Sequence, residues 1–200
     1  MSSPSLFFPT PIWASKLDNY KDANEEIYQY IKKLQKEDNQ GVIRSNIKGW
    51  HSKDFNLKDK EAQNFIKLIS PKIEQVLIDM DWDSKKQLTR ITSMWAIINK
   101  GGAANARHHH GNSAISAAYY VRAPNNCGDI VFYDPRPAPV YSHPWANKPN
   151  SLNAMVNSIT PDEGVLVLFP SYLDHSVNTN ESDDERIVIS FNISLISNNV

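Results

Sequence analysis

The sequence predicts a mainly β fold, an antiparallel sandwich or barrel, with helices flanking it on the N-terminal side. Apolar residues before about residue 80 recur at helical spacing. After Trp82, short runs rich in Ile, Val, Thr and aromatic residues follow one another without helical patterns between them. The 200 residues suit one domain, with about residues 1–86 as helical support and about residues 87–200 as the β core.

Two amphipathic helices are predicted in the N-terminal half. Between residues 18 and 38, apolar residues recur at spacings of four and three among Lys and Glu. A second apolar stripe runs over residues 58–80 and is interrupted by Pro71. Because proline fits the first turn of a helix but breaks an interior turn, we expect either two helices meeting at Ser70 or a kink there.

Six β strands are predicted after Trp82. They lie at residues 87–99, 114–121, 130–133, 155–159, 165–169 and 186–195. Residues 134–153 contain five prolines and are predicted to form a loop. This loop, with Tyr141, His143 and Trp145, is a candidate lid over a site, and a disordered insertion is the alternative.

Composition and charge narrow the class of protein. The 40% apolar and 22% charged residues are typical of a soluble globular chain. A net charge of -1 argues against nucleic acid or an anionic membrane as the main partner. Cys127 is the single cysteine, and neither a signal peptide nor a stretch of 18 apolar residues is evident. We therefore expect a cytoplasmic protein.

The histidines have the strongest chemical implication. In an extended segment His108 and His110 point to one side, with Cβ atoms about 7 Å apart. Two such imidazoles can bind one iron, zinc, copper or nickel ion, and solvated histidines at a polar strand end are the alternative. His175, which follows an apolar run and a turn at Pro170, is a candidate third ligand. The chain has six histidines: His51, His108, His109, His110, His143 and His175.

Arg186 begins the apolar run RIVISFNISL. A guanidinium that points into a barrel needs an anion in return for its lost hydration. A salt bridge to Asp183, Asp184 or Glu185 would satisfy Arg186 as well as an acidic ligand would.

Four motifs resemble those of the iron(II)- and 2-oxoglutarate-dependent oxygenases. In chain order they are NARHHHGNSAISAAYYV, GDIVFYDPR, PDEGVLVLFPSYLDHSV and ERIVISFN. The resemblance covers about residues 95–195 and is strongest to a poorly characterised subgroup of bacteria and bacteriophages, with prolyl hydroxylases more distantly similar. The N-terminal half, including GWHSKDFNL at residues 49–57, resembles that subgroup more loosely. It implies a double-stranded β-helix core of the jelly-roll or cupin-like kind. It also implies hydroxylation of a peptide or small-molecule substrate, with release of succinate and CO2.

The resemblance also implies roles for individual residues. His108, His110 and His175 match the Fe(II) ligands, and Arg186 matches the arginine that binds the distal carboxylate of 2-oxoglutarate. Tyr120 matches a tyrosine whose hydroxyl binds the same carboxylate. Further candidates are Asn99 and Asn192 for cofactor binding, and Asn105, Asp134 and Arg136 for substrate binding, with an internal ion pair as the alternative for Asp134 and Arg136.

Two positions depart from the wider superfamily. Most members have a carboxylate where this chain has His110, so three neutral imidazoles would leave the metal with its full +2 charge. Asp174, beside His175, is a weaker candidate ligand. Val188 stands where a serine is common. A zinc or nickel cupin-like enzyme and a non-catalytic jelly-roll binding or structural module are the alternative functions.

The expected partners are a small-molecule or peptidyl substrate and no nucleic acid or membrane. A homodimer is a further expectation. Phe7, Phe8 and Trp13 would pack across its interface, or alternatively onto the core of the same chain.

Overall fold

The structure, a computed structural model, describes residues 3–137 and 144–198. In the described residues the elements are β1 (Trp13–Lys16), α1 (Tyr20–Glu37), β2 (Asn46–Ile47), β3 (Trp50–His51), α2 (Lys60–Asp79), β4 (Gln87–Asn99), β5 (Ala104–His108), β6 (Ile115–Arg122), β7 (Ile130–Tyr133), β8 (Val156–Ile159), β9 (Val165–Pro170), β10 (His175–Val177) and β11 (Arg186–Ser197). The strands form two antiparallel sheets, with strand orders β1-β9-β6-β11-β4-β3 and β2-β5-β10-β7-β8. The predicted mainly β fold with N-terminal helices is therefore confirmed.

Side chains of the six-stranded sheet alternate between two environments. On β11, Ile187 and Ile189 belong to the large core cluster that also contains Ile31 of α1 and Ile69 of α2. On the same strand, Arg186 and Val188 line a cavity. Because successive residues of a strand face opposite sides, one face of this sheet packs under the helices and the other faces the second sheet.

A smaller apolar cluster lies between the two sheets. It joins Val167 and Phe169 of β9 to Ile130 and Phe132 of β7. The rings of Phe132 and Phe169 meet edge to face with centroids 5.0 Å apart. This cluster holds the sheets together beside the cavity.

The helix α2 runs without interruption through Pro71, so the expectation of two helices meeting at Ser70 is wrong. Pro71 and Lys67, whose carbonyl loses its intrahelical donor, are both exposed. Water can therefore satisfy that carbonyl. The buried face of the helix, with Phe65, Ile69 and Ile73, packs in the core and keeps the helix continuous.

Several short strands lie outside the six predicted runs, namely β1, β2, β3, β5 and β10. Their sequences are too short or too polar to show an alternating pattern, and pairing with neighbouring strands defines them. Trp13 of β1 packs against the core and donates Nε1–H to Asp79 at 2.8 Å, whereas Phe7 and Phe8 are exposed.

The expected lid falls partly outside the described residues, which do not include Tyr141 and His143. Trp145 is fully exposed. Of the helices described, none has the length and apolar character to span a membrane.

Candidate metal and cosubstrate site

A cavity of about 370 Å³ lies between the sheets and contains the predicted histidines and arginine on its wall. Its polar lining comes from β4, β5, β10 and β11 and from the segment around β2 and β3. Its apolar lining comes from β6, β7 and β9, together with Ile97 of β4, Val177 of β10 and Val188 of β11. The lining includes Ala117, Ala118, Tyr120, Ile130, Phe169 and Val188 beside the polar residues described below.

His108, His110 and His175 converge on one point. Antiparallel pairing of β5 with β10 sets His175 directly opposite His108. The ring centroids of His108 and His175 are 4.3 Å apart, and the His110 ring lies 5.2 Å and 5.1 Å from them. One nitrogen of each ring lies within 4.8 Å of the others, which suits a single metal ion.

Hydrogen bonds define which nitrogen of each ring faces the common point. Nδ1 of His108 lies 2.7 Å from the carbonyl oxygen of Ala106, and Nδ1 of His175 lies 3.0 Å from that of Leu173. A carbonyl can only accept, so each Nδ1 carries the proton and each Nε2 keeps its lone pair.

The third ring, that of His110, uses a side-chain acceptor. Its Nδ1 lies 2.6 Å from Oδ1 of Asn192 and 2.9 Å from Oγ of Ser116. Asn192 is oriented in turn, because its Nδ2 donates to Oγ of Ser93 at 3.0 Å. Nε2 of His110 is thereby free as well, so all three imidazoles present a metal-binding lone pair.

Burial keeps these imidazoles neutral. Desolvation lowers the pKa of His108 and of His110, and it lowers the pKa of His175 to about 3. At neutral pH the three rings are therefore in the form that binds metal. Neighbouring histidines lower these pKa values further, because each would repel a second positive charge.

His109, which lies between two of the converging histidines, is exposed and joins a separate network with Arg107 and Asp174. Both oxygens of Asp174 are used: Oδ2 accepts from Nε of Arg107 at 2.9 Å, and Oδ1 lies 3.0 Å from Nδ1 of His109. The Arg107 guanidinium lies over the ring of Tyr133 at 4.0 Å. Asp174 does not join the histidine set and instead ties the ends of β5 and β10 together.

Arg186 is only 2% exposed and has no carboxylate partner in the described residues. Its Nη1 donates to the carbonyl oxygens of Cys127 and Gly128 at 2.9 and 3.0 Å, and its Nε has no partner among the residues described. The alternative of a salt bridge to the preceding acidic turn is thus not what the structure shows. Burial lowers the pKa of Arg186, which reflects the cost of an uncompensated charge.

Tyr120 lines the same cavity and is 2% exposed. Burial raises the pKa of its hydroxyl, while the charge of Arg186 opposes that rise. The phenol and the guanidinium are therefore close enough to interact electrostatically. A neutral phenol beside an unpaired guanidinium offers donors to an anion.

The remaining predicted residues are placed differently. Asn105 lines the cavity, and Asn99 supports it by donating Nδ2–H to Asn105 Oδ1 at 3.0 Å. Asn192 orients His110. Asp134 and Arg136 pair with each other at 2.7 Å and line a separate groove, so the alternative of an internal ion pair is what the structure shows for them.

Sequence reasoning missed several residues of the site. The even spacing of Ser116 and Tyr120 indicates that they share a strand face, but it gave no sign that Oγ of Ser116 contacts Nδ1 of His110. Even spacing was the available signal for Ser190, which shares a face of β11 with Arg186, and for Ser93 and Trp95, which share a face of β4 with Asn99. His51 and Asp54 lie in GWHSKDFNL, whose looser resemblance to the subgroup was the signal there. Arg44 and Ser45 gave no such signal.

One family model matches the chain over residues 93–192, and its description is "Putative 2OG-Fe(II) oxygenase". The match spans half of the chain and includes the three histidines and Arg186. No curated protein sequence matches the chain.

Solved structures share the fold at low sequence identity. A prolyl-4-hydroxylase from Pseudomonas putida is 11% identical, with 92% of each chain covered and a TM-score of 0.65. The collagen prolyl hydroxylase of Paramecium bursaria Chlorella virus-1 is 13% identical, with 92% of this chain and 96% of that one covered and a TM-score of 0.60. HygX from Streptomyces hygroscopicus, solved with nickel and 2-oxoglutarate, is 9% identical, with 92% and 83% covered and a TM-score of 0.61. These similarities confirm the double-stranded β-helix core.

Proposed function

Because the chain belongs to the 2OG-Fe(II) oxygenase family, we propose that it is a dioxygenase that hydroxylates a peptide or small-molecule substrate. Its cofactors are Fe(II) and 2-oxoglutarate. One observation carries the residue assignment: three neutral imidazoles and one unpaired buried guanidinium line the same cavity.

His108, His110 and His175 would hold the iron through their Nε2 atoms. The donor set fits Fe(II), because imidazole is a common ligand of this metal and three protein ligands leave positions open for other molecules. Three neutral ligands leave the +2 charge of the metal uncompensated. Of the two carboxylates of 2-oxoglutarate, one would partly neutralise this charge and the other would pair with Arg186.

Arg186 would bind the distal carboxylate of 2-oxoglutarate. Its Nε has no hydrogen-bond partner among the described residues, and its side chain is only 2% exposed. A charge-assisted hydrogen bond to an anion would give Nε a partner and compensate the buried charge. Tyr120 would donate its O–H to the same carboxylate. Val188 has no donor, so this site would use the tyrosine in place of the serine that is common two residues after the arginine.

The chain's own residues would bind, orient and exclude water. The apolar lining by Ala118, Phe169 and Val188 would exclude water beside the charged groups when ligands are bound, and this would strengthen electrostatic interactions there. Bound iron would supply the oxidation chemistry that activates dioxygen and oxidises 2-oxoglutarate.

The test is an anaerobic titration of metal-free protein with Fe(II), followed by exposure to oxygen with and without 2-oxoglutarate. We expect succinate release that requires both iron and 2-oxoglutarate, at a slow uncoupled rate without substrate. His108→Ala should abolish it, whereas His109→Ala, in the same tripeptide but facing Asp174, should retain metal binding.

Two other results would overturn the proposal. Metal binding without 2-oxoglutarate consumption would favour the cupin-like metalloenzyme, because three imidazoles also suit zinc. Failure to bind any metal would favour the non-catalytic module.

A further inference from the structure

The cavity has a second wall that comes from outside the region matched by the family model. The proposed iron and 2-oxoglutarate ligands all lie within residues 93–192. Arg44, Ser45, His51 and Asp54 also line the cavity and come from the segment around β2 and β3. This segment is therefore available to contact a substrate without competing for the cofactors.

Two opposite charges on this wall have no partner. Neither the Arg44 guanidinium nor the Asp54 carboxylate makes a side-chain hydrogen bond or an ion pair with any residue that the structure describes. By contrast, Arg107 beside the same cavity is paired with Asp174 at 2.8 Å. Both Arg44 and Asp54 are exposed, so a ligand can reach them from solvent.

Arg44 and Asp54 both act on the buried ring of His51. Burial lowers the pKa of His51 most, and the hydrogen bond to the Ser52 carbonyl opposes it. Of the two wall charges, Arg44 lowers this pKa and Asp54 raises it. His51 stacks on Trp95 with centroids 5.6 Å apart and planes 9° apart, and the Trp95 ring lies 5.6 Å from that of His110. A flat aromatic wall thus leads from the charged mouth to the proposed metal ligands.

The aromatic surface beside this wall contains an unused donor. Nε1 of Trp95 is buried and has no hydrogen-bond partner in the described part of the chain. An unpaired buried donor is costly unless a ligand pairs with it. The wall therefore combines a cationic group, an anionic group, an aromatic surface and one neutral donor.

We propose that the substrate is a free α-amino acid, whose carboxylate binds Arg44 and whose ammonium group binds Asp54. Its side chain then lies along His51 and Trp95 toward the three histidines. An internal residue of a peptide has neither charged group and would leave both wall charges unpaired. The volume of about 370 Å³, shared with 2-oxoglutarate, also favours a small substrate.

This inference rests on the proposed function and uses the same reaction. One atom of dioxygen is inserted into a substrate C–H bond to give C–OH, and the other enters succinate as 2-oxoglutarate loses CO2. Two electrons come from the C–H bond and two from the oxidative decarboxylation, which together reduce dioxygen.

The experiment measures succinate release by the Fe(II)-loaded full chain with each of the proteinogenic L-amino acids, and with their N-acetyl and C-amide derivatives. We expect at least one free amino acid to raise succinate release tenfold or more above the uncoupled rate and to gain one oxygen atom by mass spectrometry. Blocking either terminus should reduce the specificity constant at least tenfold, since each block removes one charge-assisted interaction.

Variants of the wall should lose discrimination at one terminus each. In the Arg44→Gln variant, the free amino acid and its C-amide should stimulate succinate release equally. In the Asp54→Asn variant, the free amino acid and its N-acetyl form should stimulate it equally. Arg90→Gln and Asp18→Asn, exposed and away from the cavity, are the matched controls and should retain both preferences.

Equal stimulation by the free and blocked forms would overturn the assignment of a zwitterion. Persistent uncoupled succinate release with no response to any amino acid would also overturn it, while leaving the proposed function intact. Absence of succinate release together with absence of 2-oxoglutarate binding would overturn both.

Discussion

Replacing Arg186 by methionine should weaken 2-oxoglutarate binding far more than it weakens the fold. Removing one partner of a buried charge pair costs about 3–5 kcal/mol. Since about 1.4 kcal/mol corresponds to a tenfold change in affinity, the dissociation constant of 2-oxoglutarate should rise by about 10²- to 4 × 10³-fold.

The effect on stability should be small because two contributions oppose each other. The variant loses the hydrogen bonds from Nη1 to Cys127 and Gly128, each worth about 1.5–3 kcal/mol for a charged donor. It also removes a charge that is 2% exposed with an unpartnered Nε, whose burial costs several kcal/mol. The free energy of unfolding of the metal-free protein should therefore change by less than about 2 kcal/mol.

Calorimetric titration with 2-oxoglutarate, in the presence of redox-inert Mn(II), measures the affinity, and urea unfolding measures the stability. Arg122→Met is the matched control, because Arg122 lies on the neighbouring strand β6 and pairs with Glu25 away from the cavity. It should leave 2-oxoglutarate affinity unchanged. An affinity within tenfold of the parent for Arg186→Met, or a loss of stability above about 4 kcal/mol, would refute the reasoning and assign Arg186 a structural role.

Three further predictions concern the metal site. Asn192→Leu removes the Oδ1 atom that accepts a hydrogen bond from His110, and it should weaken Mn(II) binding about 10- to 100-fold. An unchanged dissociation constant for Mn(II) would show that Asn192 does not orient the His110 ring. Asp174→Asn should weaken Mn(II) binding several-fold. It should change the free energy of unfolding by less than about 1 kcal/mol, because the ion pair of Asp174 with Arg107 is partly exposed. A loss of Mn(II) affinity that is matched by an equal loss of unfolding free energy would contradict a positioning role. Mn(II) and 2-oxoglutarate should strengthen each other's binding about 10- to 100-fold, since the dianion supplies the negative charge that three imidazoles lack. Titration of each ligand with and without the other measures this coupling. Independent binding of the two ligands would argue against that charge balance.

Strand periodicity explains why much of the fold could be predicted. The long strands β4, β6 and β11 alternate between helix-facing and cavity-facing residues, and each was predicted to within a few residues of its bounds. The same alternation placed His108 and His110 on one side. Pro71 was the main misinterpretation, because a local rule cannot show that the rest of α2 is buried firmly enough to keep the helix continuous.

The sequence by itself determined the residue types of the candidate site, which are three histidines and an arginine. It also determined the order in which the strands that contain the motifs follow one another along the chain. Tertiary structure alone decided that Arg186 has no carboxylate partner, that Asp174 turns outward to Arg107, and that the segment around β3 completes the cavity wall. These features depend on which strands pair and which face each side chain takes across the sheets. Local sequence patterns cannot predict such contacts, because they form between residues far apart in the chain.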